Sequence, residues 1–328
     1  MNYKRVVVPA FGEPGVLQVV EEELKQPAPD EVLVRVHAAG VARSDCNRRG
    51  YDWAGQVPPF ALGFDFAGKV EALGAGVSSF EVGQTVAGIN EKLDSYSEYV
   101  LVKPDWMVAI PEETDLAQAA CLGLNYLVAF QCLHHMANVK AGEKVLVLGA
   151  SGGVGTALIE LGKLAGLEVY GTAATAKLDR IAELGAIPID YQKEDLAKRI
   201  KDIQFDAIFD GIFEEYLEPA YKHLRANEKY IVFGSTYHPR DYDRLWEKVQ
   251  NWDADHDDNK NMINFSLIEP YAEDLSKLAN YLTNGKINPL VYDRIPLAEA
   301  ARAHQILESG AVTGKIVLMC NLFLMVIS

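Results

Sequence analysis

Residues 145–166 read VLVLGASGGVGTALIELGKLAG. An apolar strand pattern leads into a glycine-rich turn, and the residues after the turn have the apolar spacing of a helix. In that order, the glycines let the backbone approach a pyrophosphate and the helix N-terminus offers free N–H groups. No lysine follows the last glycine of the turn, which excludes a mononucleotide P-loop. The pattern predicts a dinucleotide site formed by Ser151, Gly152, Gly153, Val154 and Gly155.

Strands and helices alternate around this motif. The apolar runs predict strands at Lys144–Gly149, Glu168–Thr172, Phe205–Asp210 and Lys229–Gly234. Alternation with such short strands is typical of an α/β fold with a doubly wound parallel sheet. Ligands bind at the carboxyl edge of an open α/β sheet. The last strand therefore adds three residues to the predicted cofactor site, namely Phe233, Gly234 and Ser235.

The second strand of the alternation indicates which dinucleotide binds. NAD-binding proteins place Asp or Glu about 20 residues beyond the glycine turn. Here no carboxylate follows this strand until Asp179. Thr172 and Lys177 instead suit a 2′-phosphate, with Lys177 as a point charge, although a solvated lysine on a helix surface is the alternative. The missing acid favours NADPH.

The pattern of the first hundred residues differs from this alternation. Residues 31–36 alternate apolar and polar side chains with period two, and turns rich in glycine and proline separate such segments. This predicts a β-rich antiparallel domain. The strand-helix alternation stops near residue 270, so the C-terminal segment is expected to return to that domain. The predicted domains are 1–118 with 270–328, and 119–269.

Composition narrows the classes of partner and compartment. The net charge is −15, and phosphate backbones and anionic lipid surfaces repel such a protein. The longest strongly apolar run, residues 322–327, is far short of the roughly 20 residues that span a bilayer. The four cysteines form no CxxC pair, which argues against a zinc ribbon or a disulfide framework. A cytoplasmic protein with no nucleic-acid or membrane partner is expected.

Five segments carry a resemblance to a known family, namely AAGVARSDCNRRGY (38–51), LGFDFAGKVEALGAGVSSFEVGQTVAG (62–88), KAGEKVLVLGASGGVGTALIELGK (140–163), DNKNMINFSLIEPY (258–271) and TGKIVL (313–318). They resemble the medium-chain dehydrogenase/reductase superfamily, specifically its zinc-free quinone-oxidoreductase-like branch. The resemblance implies a GroES-like β domain closed by the C-terminal segment, an inserted Rossmann domain, and a homodimer. Near the C-terminus the chain is similar to a sub-branch that includes vesicle-associated members.

The resemblance also implies roles for single residues. Zinc-dependent members bind catalytic zinc through a cysteine and a histidine, but this chain has Ala42 and Phe64 there, so no metal is expected. Tyr51 matches a pocket tyrosine whose phenol can donate to a developing enolate, although a half-exposed turn aromatic is the alternative. Asn125 stands where relatives have a threonine near the nicotinamide. Tyr191 matches a tyrosine beside the adenosine phosphate.

Two departures from the family pattern affect the expected pocket. Many relatives carry an asparagine where this chain has Ala42. The usual glycine pair after one strand is replaced by Gly211-Ile212-Phe213. Both changes concern residues that the resemblance places close to the site of hydride transfer, so both affect the expected pocket.

The leading hypothesis is an oxidoreductase that transfers a hydride from NADPH, without zinc, to an α,β-unsaturated carbonyl or a quinone. A zinc-free alcohol or enoyl reductase of another substrate class is the alternative within enzymes. An NADPH-binding protein without turnover is the alternative outside them.

Overall fold

The structure is a computed structural model in which the chain forms two compact units, residues 1–127 with 270–328 and residues 128–269. The change of sequence pattern predicts the first boundary at 118/119, whereas the structure has it at 127/128, inside a helix. The described residues are 1–52, 55–90, 92–213, 216–234, 247, 251, 261–265 and 271–320.

Strands and helices make up more than half of the described residues. The strands are β1 (Asn2–Val8), β2 (Gln18–Glu23), β3 (Val32–Val41), β4 (Phe60–Ala61), β5 (Asp65–Leu73), β6 (Thr85–Ile89), β7 (Tyr99–Val102), β8 (Met107–Ala109), β9 (Lys144–Leu148), β10 (Glu168–Ala173), β11 (Ile187–Asp190), β12 (Phe205–Asp210), β13 (Leu224–Val232), β14 (Asn261–Asn264), β15 (Val291–Pro296) and β16 (Lys315–Met319). The helices are α1 (Arg43–Gly50), α2 (Leu116–Met136), α3 (Gly153–Leu164), α4 (Leu178–Leu184), α5 (Leu196–Arg199), α6 (Leu217–Tyr221), α7 (Tyr271–Thr283) and α8 (Ala300–Glu308).

The first unit is built on a sheet with the order β15-β16-β3-β5-β6-β8, in which β7 also pairs with β3. β3 reads VLVRVHAAGV, and its apolar residues lie in the core of this unit. β16 pairs antiparallel with β3, placing Ile316 opposite Val41. The C-terminal strand therefore completes a sheet that begins about 280 residues earlier in the chain. A smaller sheet has the order β2-β1-β4.

The second unit contains a sheet with the order β11-β10-β9-β12-β13-β14, and every pair in it is parallel. Numbered from β9, this is the order 3-2-1-4-5-6 of a doubly wound dinucleotide fold. The predicted fold class is confirmed. In this order the connections reverse direction between β9 and β12, and ligands bind outside the carboxyl ends of strands at such a point.

By length and composition alone, helix α2 could cross a membrane. Its apolar window has a mean hydropathy of 1.4 and is 83% buried inside the protein, as in the core helix of a folded domain. Two π-helical turns interrupt it, at Leu122–Tyr126 and Cys132–Met136. Such turns occur frequently at functional sites. The first of them contains Asn125.

Candidate functional site

The glycine turn joins β9 to α3 at the point where the sheet order reverses. Gly152 is the N-cap of α3, so the next N–H groups point out of the helix end without intrahelical acceptors. A Cβ on Gly155 would lie 2.7 Å from Ala150 Cα, so only glycine lets the first helical turn pack this closely on the end of the strand. Free N–H groups and the helix dipole make this end a site for an anionic group.

The predicted residues of the second and third strands lie at the same edge of the sheet. Thr172 is buried on β10, and its Oγ1 accepts a hydrogen bond from Gly149 N–H at 3.1 Å, which fixes the start of the glycine turn. Lys177 is half-buried and is the N-cap of α4. Tyr191 directly follows β11, is 45% exposed, and donates its N–H to Ala173 O at 3.3 Å. This edge therefore presents a cation and an aromatic ring.

A carboxylate that the sequence of β10 does not predict lies at this edge. Asp190 ends β11 and lies opposite Ala173 in the sheet register. Its Oδ2 accepts from Thr175 Oγ1 at 2.6 Å and its Oδ1 from Gln192 N–H at 3.0 Å. The hydrogen bond from Thr175 lowers the pKa of Asp190. The carboxylate belongs to the next strand, β11, and only the pairing of β11 with β10 brings it to this edge.

The end of β13 carries the last of the predicted cofactor residues. Phe233 donates its N–H to Asp210 O at 2.9 Å. Its ring lies over Gly211, where a Cβ would be 2.6 Å from Phe233 Cε2. Gly234 follows at the same edge, and Ser235 lies outside the described residues.

Burial and hydrogen bonds stabilise the segment Gly211-Ile212-Phe213, which replaces the glycine pair of the family. Phe213 adopts φ 61°, a left-handed conformation that costs a residue with a Cβ about 1–2 kcal/mol. The ring is fully buried in the core of the second unit. Asp210 Oδ1 accepts from the N–H groups of both Ile212 and Phe213 at 2.8 Å, which fixes the turn. Burial of the ring and these hydrogen bonds offset the strain.

In the first unit a chain of buried polar side chains, hereafter the buried polar network, joins four residues: Arg49, His304, Tyr96 and Asp45. Arg49 Nη1 lies 3.0 Å from His304 Nδ1, and Tyr96 Oη lies 3.1 Å from His304 Nε2 and from Asp45 Oδ2. A guanidinium can only donate, so Nδ1 accepts and Nε2 carries the proton. Tyr96 therefore accepts from His304 and donates to Asp45.

Burial shifts the pKa values of His304 and Asp45 in this network. Burial and the neighbouring guanidinium of Arg49 lower the pKa of His304 to about 3, so the imidazole is neutral. Burial raises the pKa of Asp45, although its carboxylate accepts from the N–H groups of Ala42 at 2.8 Å and Gly63 at 3.1 Å. The network therefore fixes the backbone at Ala42, the N-cap of α1, and at Gly63, between β4 and β5.

A second buried group in this unit is an ion pair. Lys315 Nζ lies 2.6 Å from Asp65 Oδ2, and both side chains are at most 3% exposed. The approach lies outside hydrogen-bond geometry, so the contact is mainly electrostatic. Burial outweighs the attraction of Lys315 and raises the pKa of Asp65 to about 6. Lys315 Nζ also donates to Asn125 Oδ1 at 3.3 Å.

Tyr51, the predicted pocket tyrosine, is the C-cap of α1 and is 37% exposed. Its N–H donates to Asn47 O at 3.1 Å, which ends the helix. Both interpretations of Tyr51, as a pocket donor and as an aromatic residue at a turn, are compatible with this half-exposed position. Its role as a proton donor stays a prediction.

Two family models match the chain, one in each half of the sequence. Residues 28–112 match the family "Alcohol dehydrogenase GroES-like domain", and residues 184–318 match "Zinc-binding dehydrogenase". The chain is 31% identical to the quinone oxidoreductase of Sus scrofa over 94% of this chain and 95% of that protein. It belongs to the quinone-oxidoreductase-like branch of the medium-chain dehydrogenase/reductase superfamily. Members of this branch are oxidoreductases, and so is this chain.

Solved structures of the branch have the same fold. The crystal structure of Escherichia coli quinone oxidoreductase complexed with NADPH has a TM-score of 0.85 at 26% identity, covering 97% of this chain and 100% of that one. The human synaptic vesicle membrane protein VAT-1 homolog-like protein has a TM-score of 0.83 at 26% identity, covering 98% and 99%. The second likeness agrees with the C-terminal segments that resemble vesicle-associated members.

The donor set of this oxidoreductase does not suit the zinc ion in the name of the matched family. Ala42 and Phe64 stand where zinc-dependent members have ligands, and neither has a donor atom. Among the described residues there is no group of three or more His, Cys, Asp or Glu side chains placed to bind a metal. No step of the chemistry is therefore assigned to zinc.

The four cysteines of the chain are all buried. Burial raises the pKa of the Cys46 and Cys121 thiols to about 12, and raises those of Cys132 and Cys320 as well. At neutral pH these thiols are protonated, and a protonated, buried thiol is neither a nucleophile nor a metal ligand.

Proposed function

We propose that this chain is a zinc-independent, NADPH-dependent reductase that transfers a hydride to an α,β-unsaturated carbonyl or a quinone. The observation that carries the proposal is the close packing of Gly155 on Ala150, which exposes the N-terminus of α3 at the reversal point of a doubly wound sheet. The chain has this binding site for a dinucleotide, but Ala42 and Phe64, at the positions of the zinc ligands in other members, have no donor atoms. The relative from Escherichia coli, whose structure holds NADPH, supports the same cofactor.

The residues of the second unit account for the binding of NADPH. The free N–H groups at the start of α3 hold the pyrophosphate. Lys177 attracts the 2′-phosphate as a point charge, and Tyr191 lies beside the adenosine. Asp190 ends β11 and not β10, the strand whose end carries the ribose-binding acid in NAD-binding proteins. The lack of an acid at the end of β10 supports NADPH over NADH.

The residues of the first unit supply donors to the substrate. Bound NADPH provides the hydride, and the oxygen of the acceptor gains negative charge as the hydride arrives. Among the described residues no group of side chains is placed to hold a metal ion, so hydrogen bonds are the means we propose for stabilising that charge. The phenol of Tyr51 and the amide of Asn125 are the donors we assign to this role. The buried polar network keeps the backbone beside Ala42 and Gly63 in place.

The test is oxidation of NADPH, followed by absorbance, with a panel of enones, quinones, aldehydes and alcohols, with NADH and a chelator as controls. Turnover of an enone or quinone that prefers NADPH and ignores the chelator is expected. Turnover only with simple aldehydes or alcohols would point to a reductase of another substrate class. Saturable NADPH binding with no turnover would make the chain a cofactor-binding protein, and chelator sensitivity would contradict zinc independence.

We propose further that the enzyme works as a cytoplasmic homodimer on small molecules, without nucleic-acid or membrane partners. The family resemblance and the net charge of −15 support this. Sedimentation of the purified full chain would give the mass of a dimer, and vesicle flotation would leave the protein unbound.

A further inference from the structure

The buried ion pair of Asp65 and Lys315 has no role in the function proposed above. Burying two charges costs several kcal/mol per ion, and a close partner offsets that cost only in part. A protein gains little stability from such a pair compared with apolar side chains of similar volume. The pair therefore calls for an explanation beyond stability.

The lack of a side chain at Gly40 leaves the space that the ion pair occupies. A Cβ on Gly40 would lie 2.5 Å from both Asp65 Oδ2 and Lys315 Cε, so any other residue there would displace the pair. Ile316 lies opposite Val41 in the sheet, which places Lys315 beside the start of the segment that carries Ala42. The ion pair thus lies in the same part of the unit as the positions that hold zinc ligands in other members.

The third member of the cluster is Asn125, which is 5% exposed and lies in the π-helical turn of α2. An ammonium group has donors and no acceptor, so Lys315 has to face the oxygen of the Asn125 amide. This contact fixes which way the amide points. The Nδ2 group of Asn125 must then face away from Lys315, and the structure gives it no hydrogen-bond partner among the described residues.

We infer that Asp65 and Lys315 are positioning residues that hold Asn125 as an obligatory hydrogen-bond donor, aimed at an acceptor oxygen of the bound ligands. This rests on the proposed function and deepens it. The oxygen belongs either to the cofactor, as in its carboxamide, or to the carbonyl substrate. A hydroxyl side chain at position 125 could rotate and either donate or accept, whereas an amide held by Lys315 can only donate.

The first experiment measures what the donor does, using Asn125→Asp and Asn125→Leu in the full chain. NADPH affinity is read by fluorescence titration, and hydride transfer is read by kcat and KM at saturating NADPH. A loss of about tenfold in NADPH affinity would assign the oxygen to the cofactor. A loss of about a hundredfold in kcat/KM with NADPH affinity kept would assign it to the substrate. Unchanged affinity and turnover in both variants would overturn the inference.

Two controls accompany these variants. Thr85→Val removes a buried polar group elsewhere in the first unit and is expected to leave both readouts unchanged. Wild-type protein separates the two proposals: if it fails to bind NADPH, the proposed function fails. If it binds and reduces while the Asn125 variants match it, only the present inference fails.

The second experiment tests whether the ion pair acts through Asn125. Replacing Lys315 alone would leave an unpaired buried carboxylate and risk unfolding, so both charges are removed together in Asp65→Asn/Lys315→Met. The pair is also removed in the Asn125→Leu background. We expect the charge removal to lower the affected readout severalfold in the wild-type background and to add nothing once Asn125 is absent. Equal losses in both backgrounds, or a loss of thermal stability with unchanged affinity and turnover, would contradict the positioning role.

Discussion

The glycine turn of the second unit and the buried polar network of the first are built by opposite means. The turn uses backbone N–H groups and the absence of side chains, within eleven consecutive residues, 145–155. The network uses side chains that converge from distant segments, since Arg49 and His304 are 255 residues apart in the chain. A site made of backbone is encoded locally and fails when a side chain is added. A site made of side chains depends on the whole fold and fails when one is removed.

The largest expected effect comes from adding a side chain to the turn. In Gly155→Val the new Cβ would lie 2.7 Å from Ala150 Cα, so α3 must move away from the strand end. NADPH affinity, measured by fluorescence titration, is expected to fall at least about a hundredfold because the N–H groups lose their alignment. Gly15→Val is the matched control, because a Cβ there meets nothing within 4 Å. Equal affinities in the two variants would mean that the turn is not the cofactor site.

Removing a side chain from the buried polar network is expected to act on stability instead. His304→Leu removes the acceptor of one Arg49 N–H and the group that donates to Tyr96 Oη, although Arg49 keeps Glu308 and Tyr96 keeps Asp45 as partners. The free energy of unfolding in urea denaturation should fall by about 3 kcal/mol. Arg302→Met, which breaks an exposed ion pair with Glu299 on the same helical segment, should change little. A His304 variant as stable as wild type would show that the network does not support the fold.

The same histidine predicts how stability depends on pH. Its pKa is about 3 in the fold and about 6.5 in the unfolded chain, so the unfolded state binds more protons between these values. Its contribution is complete above about pH 6.5 and is lost as the pH falls from there towards 3. Between pH 7 and pH 5 wild type should lose about 2 kcal/mol more than His304→Leu.

The raised pKa of Asp65 has the opposite sign, and its contribution falls as the pH rises from about 4 to about 6. This group is present in both proteins, so it cancels from the difference. Parallel pH profiles for wild type and His304→Leu would show that His304 is not buried in the neutral form.

The smallest effect concerns the edge of the sheet, where a single side chain assists a site made of backbone. Lys177→Met should weaken NADPH binding about tenfold, which is about 1.4 kcal/mol, and leave NADH binding unchanged. Lys201→Met, at an exposed lysine of the same unit, is the control. A parallel loss for both cofactors would place Lys177 away from the 2′-phosphate.

The difference between the two regions also explains what the sequence predicts. The strand, turn and helix at 145–166 follow from local periodicity, and β9 begins at the predicted Lys144. β13 begins at Leu224, five residues before the predicted Lys229. The added segment, with Arg225, Asn227 and Glu228, is largely exposed and has no apolar pattern to mark it as a strand.

The partners in the first unit could not be predicted, because they depend on how distant segments converge. A partial signal was present: Asp65 is a single acid within the apolar stretch LGFDFAG, and Lys315 a single base before the apolar run IVL. Charges in such places are almost never buried without a partner. The sequence could have identified each of them as unusual, but only the pairing of β16 with β3 brings them together.

The buried cysteines bear on the proposed reduction of enones. Such compounds alkylate thiolates, so a reductase that collects them is exposed to damage by its own substrates. Burial protects Cys46, Cys121, Cys132 and Cys320 both by excluding the reagent and by keeping the sulfur protonated. Under the proposed function, the four thiols would therefore stay unmodified during repeated turnover of an electrophile.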